Sequence, residues 1–377
     1  MNKKVIIINV LVTLILLVIC DLCVGLLYNR LAPAYGKTNI DILLGTINTE
    51  KLLTEKPHPY MLWENTPDRV SGSGIKQTNR QGYRNQNDIG ILEPDTLRIL
   101  ALGGSTTYGH FLDSPNDAWP AQLEKELSKH LANSKYKRVE VVNGGLQYGT
   151  SAELLSHYLF RDRYLGSKIV VLHTGENDIG PLLFDDYNPE YTHFRPGWNA
   201  NVFGLRTGEL WFIRHSNIVK LFYACWLNRG LALPYVNKQS KSFDLPEEYY
   251  LESVKKNQPI GLERNLDLLI RNIVADGGLP VLFSPVFASE KQFYELKGEA
   301  AKNASYTQKI HKATTIGLEK TQEVLRKLSS KYQIPLIELS PDRIPTEYFL
   351  DHIHLSKEGE SIKAAIVADN IAKLLKR

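Results

Sequence analysis

Apolar residues run almost without interruption from Val5 to Tyr28. At ~1.5 Å per residue a helix of that length spans a ~30 Å hydrocarbon core. Lys3 and Lys4 stand before it, and cationic flanks stay on the cytoplasmic side. The pattern therefore predicts a signal-anchor helix over 1–28, with its N-terminus in the cytoplasm and the rest of the chain outside. A cleaved signal peptide needs small residues before the cut, and Leu26-Leu27-Tyr28 supplies none; Ile19 before Cys20 does not suit a lipoprotein site. A buried core helix would leave Lys3 and Lys4 unexplained. Asn9 and Asp21 interrupt the run, and a carboxylate inside a bilayer is expensive. Asp21 is expected near the outer interface, where it reaches the headgroups.

Residues 29–95 mix short apolar runs with Pro57, Pro59, Pro67 and Ser71-Gly72-Ser73-Gly74. Such punctuation predicts loops and short strands, in a stalk or small N-terminal subdomain. Asn79 to Arg84 read as a turn entering an extended segment. From residue 96 the rhythm changes. Apolar runs of strand type occur at Leu97–Leu102, Arg138–Val142, Lys168–His173, Leu279–Ser284 and Ile334–Leu339. Helical patterns fall at 117–133, 150–164, 262–276, 305–331 and 357–375. Strands alternating with helices predict an α/β domain over 96–377, a parallel sheet covered on both faces. One long interval between the third and fourth strands holds an aromatic-rich insertion at about 180–260, with Phe184, Tyr187, Tyr191, Phe194, Trp198, Trp211, Phe212, Phe222, Tyr223 and Trp226. These rings are expected either to pack or to wall a substrate, with His193, Arg195 and Asn199 beside them.

Composition narrows the function classes. The chain has 377 residues, 43% hydrophobic and 23% charged, which is ordinary globular usage. A net charge of +4 is too small and too dispersed for a nucleic-acid footprint. Cys20 and Cys23 form a C-x-x-C inside the apolar run, with no second pair to complete a zinc site. Cys225 lies among aromatics and reads as a buried free thiol. There is no H-E-x-x-H, no Walker loop and no dinucleotide fingerprint, so neither metal nor cofactor is expected.

Ligands of an open parallel sheet bind beyond the carboxyl ends of its strands, so the residues following each strand matter most. After the first comes Gly103-Gly104-Ser105-Thr106-Thr107-Tyr108-Gly109, and after the second Asn143-Gly144-Gly145. After the third comes Gly175-Glu176-Asn177-Asp178, and before the last helix Asp351-His352-Ile353-His354-Leu355-Ser356. A serine hydroxyl needs a base to become a nucleophile. His354 can serve as that base, and Asp351, three residues earlier, can hold its ring N–H, in the order Ser…Asp…His. Taken singly, Ser105 also reads as a helix N-cap, Gly145 as a positive-φ position and Asn177 as a turn residue. Asp178 reads as a capping or orienting group, His352 as a local rival to His354, and Ser356 as the cap of the final helix.

In order and approximate spacing these four blocks resemble the SGNH/GDSL hydrolase family over residues 96–377: its nucleophile serine, its second-block glycine, its G-x-N-D block and its D-x-x-H block. Asn79–Arg84 is similar to the lead-in of bacterial members. The resemblance implies a three-layer α/β/α sandwich of flavodoxin-like type. It implies catalytic Ser105, Asp351 and His354, and an oxyanion hole of the Ser105 and Gly145 N–H groups with the Asn177 side-chain amide. A slip of one residue would make Gly144 the donor. This chain departs from the family in two places. Gly104 stands where an aspartate is usual, and Tyr148 displaces the later glycine of N-x-G-x-x-G, with Gly149 following. The expected activity is a serine esterase acting through an acyl-enzyme on an O-acyl ester of an extracytoplasmic glycan or lipid. An O-acyltransferase would use the same triad, and a non-catalytic glycan-binding or assembly protein would need none of it.

Overall fold

A computed structural model describes residues 3–31, 55–58, 60–130, 135–195, 215–219, 222, 241 and 243–376. The chain divides into two compact units, one of residues 1–53 with 197–236 and one of 54–196 with 237–377. Of the expected connector, the described residues from 55 on belong to the larger unit.

In the smaller unit, helix α1 (Lys3–Leu31) contains a 25-residue stretch, Lys3–Leu27, long and apolar enough to cross a membrane. Cys20 and Cys23 are free, exposed thiols on it. Asp21, expected to reach the headgroups, has partners within the protein. Its carboxylate accepts hydrogen bonds from Ser216 Oγ at 2.6 Å, Ile218 N at 2.9 Å and Asn217 N at 3.1 Å. Gly25, one turn on, permits that approach, since a Cβ there would start 2.6 Å from Asn217 Nδ2.

The larger unit opens with an antiparallel hairpin, β1 (Glu55–His58) and β2 (Leu62–Asn65). Its main sheet has five parallel strands: β3 (Thr96–Gly103), β4 (Arg138–Gly145), β5 (Ile169–His173), β6 (Leu279–Phe283) and β7 (Leu336–Ile337), in spatial order β4-β3-β5-β6-β7. All five expected strands are present. The last is reduced to two residues, Leu336 and Ile337, paired with Leu282 and Phe283 of β6 at the sheet edge. Each strand is buried on both faces. Ile99, Ala101, Val141, Val171 and Val281 pack against α3 (Trp119–Ser128) and the C-terminal helix, Lys357–Leu375. Leu100, Leu102, Val170, Leu172 and Leu282 pack against α4 (Ser151–Phe160), the helix Ile260–Ala275 and the helix His311–Tyr332. That is the three-layer α/β/α sandwich, with the period-two alternation of β3 deciding which side chain meets which layer.

The expected helix at 305–331 begins as a 3-10 turn, Ser305–Ile310, and becomes α-helical at His311. Ser356 caps the last helix by accepting from Gly359 N. The segment between the hairpin and β3 is tied to the sheet. Trp63 is fully buried, Asn65 Nδ2 donates to Gly145 O at 2.9 Å, and Arg84 N donates to Asn143 O at 3.0 Å. The Asn79–Arg84 turn is closed by its own side chain: Asn79 Oδ1 accepts from Gln81 N and Tyr83 N, with Gly82 at φ 81°.

Candidate active site

The strand order reverses at β3, which has β4 on one side and β5 on the other, and the crevice beyond such a switch point is where open α/β sheets bind ligands. Here β3 turns directly into the single-turn helix α2 (Ser105–Tyr108). Glycine is required at the turn. A Cβ on Gly103 would fall 2.3 Å from His173 O and 2.1 Å from Thr107 Oγ1. Arg84 holds the far end of α2: its buried guanidinium donates to Tyr108 O at 3.3 Å and Leu112 O at 2.8 Å, pairs with Gln77, and lies 4.5 Å from the Tyr108 ring centroid. Ser105 thus stands at the carboxyl edge of the sheet, and its N–H has no acceptor among the described residues.

The partner groups come from the loop before the last helix. Phe349 and Leu355 form a bridge, and Leu350 N donates to His354 O, so the chain between them is a tight bulge. Asp351 Oδ1 accepts from the backbone N–H groups of Ile353 and His354 at 2.8 and 2.7 Å, which aims Oδ2 at His354 Nδ1, 2.7 Å away. The other ring nitrogen, Nε2, lies 2.8 Å from Ser105 Oγ. A carboxylate can only accept, so Nδ1 carries the proton and Nε2 is left to accept from the serine hydroxyl. Burial works against the Asp351 charge, but His354, His352 and the backbone donors hold its carboxyl well below the usual carboxylate range. His352 does not replace His354. It sits 3.9 Å from Asp351 through Nδ1, and burial lowers its pKa to about 4, so it stays neutral.

Asn177 reaches the same place from the end of β5. Its Nδ2 donates to Gly149 O at 3.0 Å, which leaves the second amide hydrogen without an acceptor among the described residues. Gly145 is a correction. Its N–H is already donated to Asn143 Oδ1 at 2.9 Å, and a Cβ would start 2.2 Å from Tyr108 N, so close packing against α2 accounts for the glycine. Gly144 sits inside the β3–β4 register opposite Leu102. Further along the loop, Gln147 N–H has no acceptor among the described residues. Tyr148 adopts φ 60°, the left-handed conformation that favours the glycine it displaces. Arg195 secures that loop, donating to Tyr148 O at 2.5 Å and gripping both oxygens of Glu153 at 3.1 Å. Asp178 takes the structural role: fully buried, it accepts from Ser151 N, Ser151 Oγ and Tyr191 OH.

Several groups here escaped the sequence reading. Thr106 Oγ1 donates to Glu176 Oε1 at 2.8 Å, and burial raises the Glu176 carboxyl pKa to about 7. His173, fully buried, holds Thr107 Oγ1 at 2.9 Å through Nδ1, and burial and Lys363 keep it uncharged. Lys363 and Glu360 form a buried pair at 2.8 Å in the last helix, with Lys363 Nζ 3.4 Å from Thr106 O. Phe111 meets His354 edge-on at 5.4 Å, half exposed and at φ 69°, and His110 lies 5.0 Å from the same ring. Glu176 sat inside a quoted block, but its contacts depend on long-range packing. Of the insertion, Phe184, Phe194 and Tyr250 form a packed cluster. Trp198, Asn199, Trp211, Phe212, Tyr223, Cys225 and Trp226 lie outside the described residues. Among the described residues no cluster of three or more His, Cys, Asp or Glu is arranged to hold a metal ion.

No family model and no curated protein matches the sequence. Solved structures similar to the chain include a GDSL-like lipase from Parabacteroides merdae, at 13% identity and TM-score 0.41, covering 76% of this chain and 99% of that one. A lipolytic protein of the G-D-S-L family from Desulfitobacterium hafniense is 12% identical at TM-score 0.39, covering 72% and 98%. The acetyl xylan esterase AlAXEase is 11% identical at TM-score 0.38, covering 73% and 99%.

Proposed function

We propose that the chain is a serine ester hydrolase of the SGNH/GDSL kind, with Ser105 as nucleophile, His354 as general base and acid, and Asp351 as the group that orients the imidazole. The observation that carries this reading is the continuous chain Asp351 Oδ2–His354 Nδ1 at 2.7 Å and His354 Nε2–Ser105 Oγ at 2.8 Å, joining residues 249 positions apart. Ser105 Oγ attacks the ester carbonyl while Nε2 takes its proton. The imidazolium then returns that proton to the departing alkoxide, leaving an acyl-serine and a free alcohol. Water, deprotonated by the same Nε2, attacks the acyl carbon and regenerates Ser105. Negative charge on the carbonyl oxygen needs fixed donors, and the Ser105 N–H and the second Asn177 amide hydrogen are available for it.

The α1 helix is read as a signal anchor that leaves the catalytic unit outside the cytoplasm. That location favours an O-acyl group on an envelope glycan or lipid as substrate. A fluorophosphonate probe tests the core of the proposal. It should label Ser105 in the full-length protein and fail to label Ser105→Ala or His354→Ala; labelling at another residue, or none, would sink it.

A further inference from the structure

A pocket of about 130 Å³ is bounded by the Glu176–Asn177 turn on one side and by His352 and Ile353 on the other. Two of its walls are neighbours of the proposed catalytic groups: Asn177, and Ile353, the residue before His354. Most of the rest is apolar, with Ile179, Leu183, Phe287 and Ile310. Its polar members are mixed: Glu176 Oε2 and Thr314 Oγ1 have no hydrogen-bond partner among the described residues, whereas two others are turned onto protein partners. The Arg195 guanidinium grips Glu153, and the Thr307 hydroxyl donates to Ala304 O at 2.7 Å.

The geometry of ester cleavage decides which part of a substrate can use this space. The leaving alkoxide must depart on the His354 side, since Nε2 protonates it. The developing oxyanion must face the Ser105 N–H and the Asn177 amide. The acyl substituent is left to take the remaining direction, and an apolar recess bounded by Asn177 and Ile353 suits it. An apolar cavity of ~150 Å³ holds one benzene molecule, so this recess has room for about six carbons. Resting on the esterase reading above, we propose that this pocket is the acyl-binding site and that it restricts the enzyme to short acyl groups of about six carbons or fewer. The alcohol, by contrast, leaves on the side of His110 and the half-exposed Phe111, whose rings flank His354.

The test is a chain-length series. Full-length protein in detergent is assayed on p-nitrophenyl acetate, butyrate, hexanoate, octanoate and decanoate. The expected result is that kcat/KM falls by about tenfold or more between hexanoate and decanoate, the scale of steric discrimination in an apolar pocket. Phe287→Ala, which opens one wall, should raise the decanoate-to-acetate ratio by about tenfold; Ile310→Ala provides a second opening should the first variant not fold. A profile that stays level or rises through decanoate overturns the proposal, as does a ratio that neither folded variant moves. Failure of the underlying esterase reading looks different: no ester of any length is turned over faster than by Ser105→Ala, and that result removes both.

Discussion

The carboxyl of Glu176 occupies the space that a side chain on Gly104 would need: a Cβ there would start 2.6 Å from Glu176 Oε1 and 2.5 Å from Asn177 Nδ2. This explains the glycine where the resembled family has aspartate, since a carboxyl already enters that space from the end of β5. Restoring the aspartate should therefore be harmful. Gly104→Asp would push Asn177 aside and set a second carboxyl against Glu176. The expected outcome is a loss of about 10²-fold or more in kcat, the scale of a lost oxyanion donor, measured on p-nitrophenyl acetate with the fold checked by circular dichroism.

Glu176 also bears on pH dependence. Burial, first among its causes, raises its pKa to about 7, against the lowering effect of its Thr106 bond. Above that pH an anion lies beside the residues flanking Ser105, where negative charge develops on the substrate. Glu176→Gln keeps an acceptor for Thr106 and removes the charge. The kcat of the variant relative to the parent should be higher at pH 8.5 than at pH 6; a ratio independent of pH would count against this role.

Ser105→Ala and His354→Ala should each lower kcat on p-nitrophenyl acetate by about 10³-fold or more while leaving the protein folded, because both remove a member of one proton-transfer chain. Asp351→Asn should retain much of the local geometry yet cost up to about 10⁴-fold, since an amide can present a donor to Nδ1 and favour the wrong tautomer. Near-parental turnover in any of the three would contradict the assignment.

Asn177→Ala should reduce kcat by about 10²–10³-fold with little change in KM, because its free hydrogen meets charge that exists only in the transition state. A change confined to KM would place the side chain in ground-state binding instead.

Stability should weaken below neutrality. Burial lowers the pKa of His157 to about 4, where its Nε2 bonds Trp63 O at 2.7 Å, and burial likewise lowers that of His352 to about 4. An unfolded histidine takes up a proton near pH 6.5, whereas the folded one does so only near 4. Stability is thus fully present above pH 6.5 and is lost as the pH falls toward 4. A fully buried histidine with such a shift contributes up to about 3 kcal/mol over that window. Glu176 acts in the opposite direction between about pH 4.5 and 7, so the two histidines outweigh it. Tm measured at pH 5 should be lower than at pH 7, and the difference should shrink in His157→Gln.

Much of this protein was legible from local pattern. An apolar run of membrane length, five strands buried on both faces and the helices between them are consequences of period and composition, which the sequence carries directly. The four loop blocks were likewise visible, because tight turns at strand ends demand glycine, serine, asparagine and aspartate. Long-range packing decided the rest. The described residues from 55 on belong to the larger unit, where Trp63, Asn65 and Arg84 find their partners across the sheet. Gly145 proved to be a matter of close approach to α2, with its N–H already used by Asn143. The Glu176 carboxyl beside Gly104, the Arg195–Glu153 grip on the Tyr148 loop and the pocket beyond Asn177 join residues far apart in the chain. No local periodicity encodes such contacts: hydrophobic alternation dictates which side of the sheet a residue faces, but only closure of the layers determines which distant residue it meets.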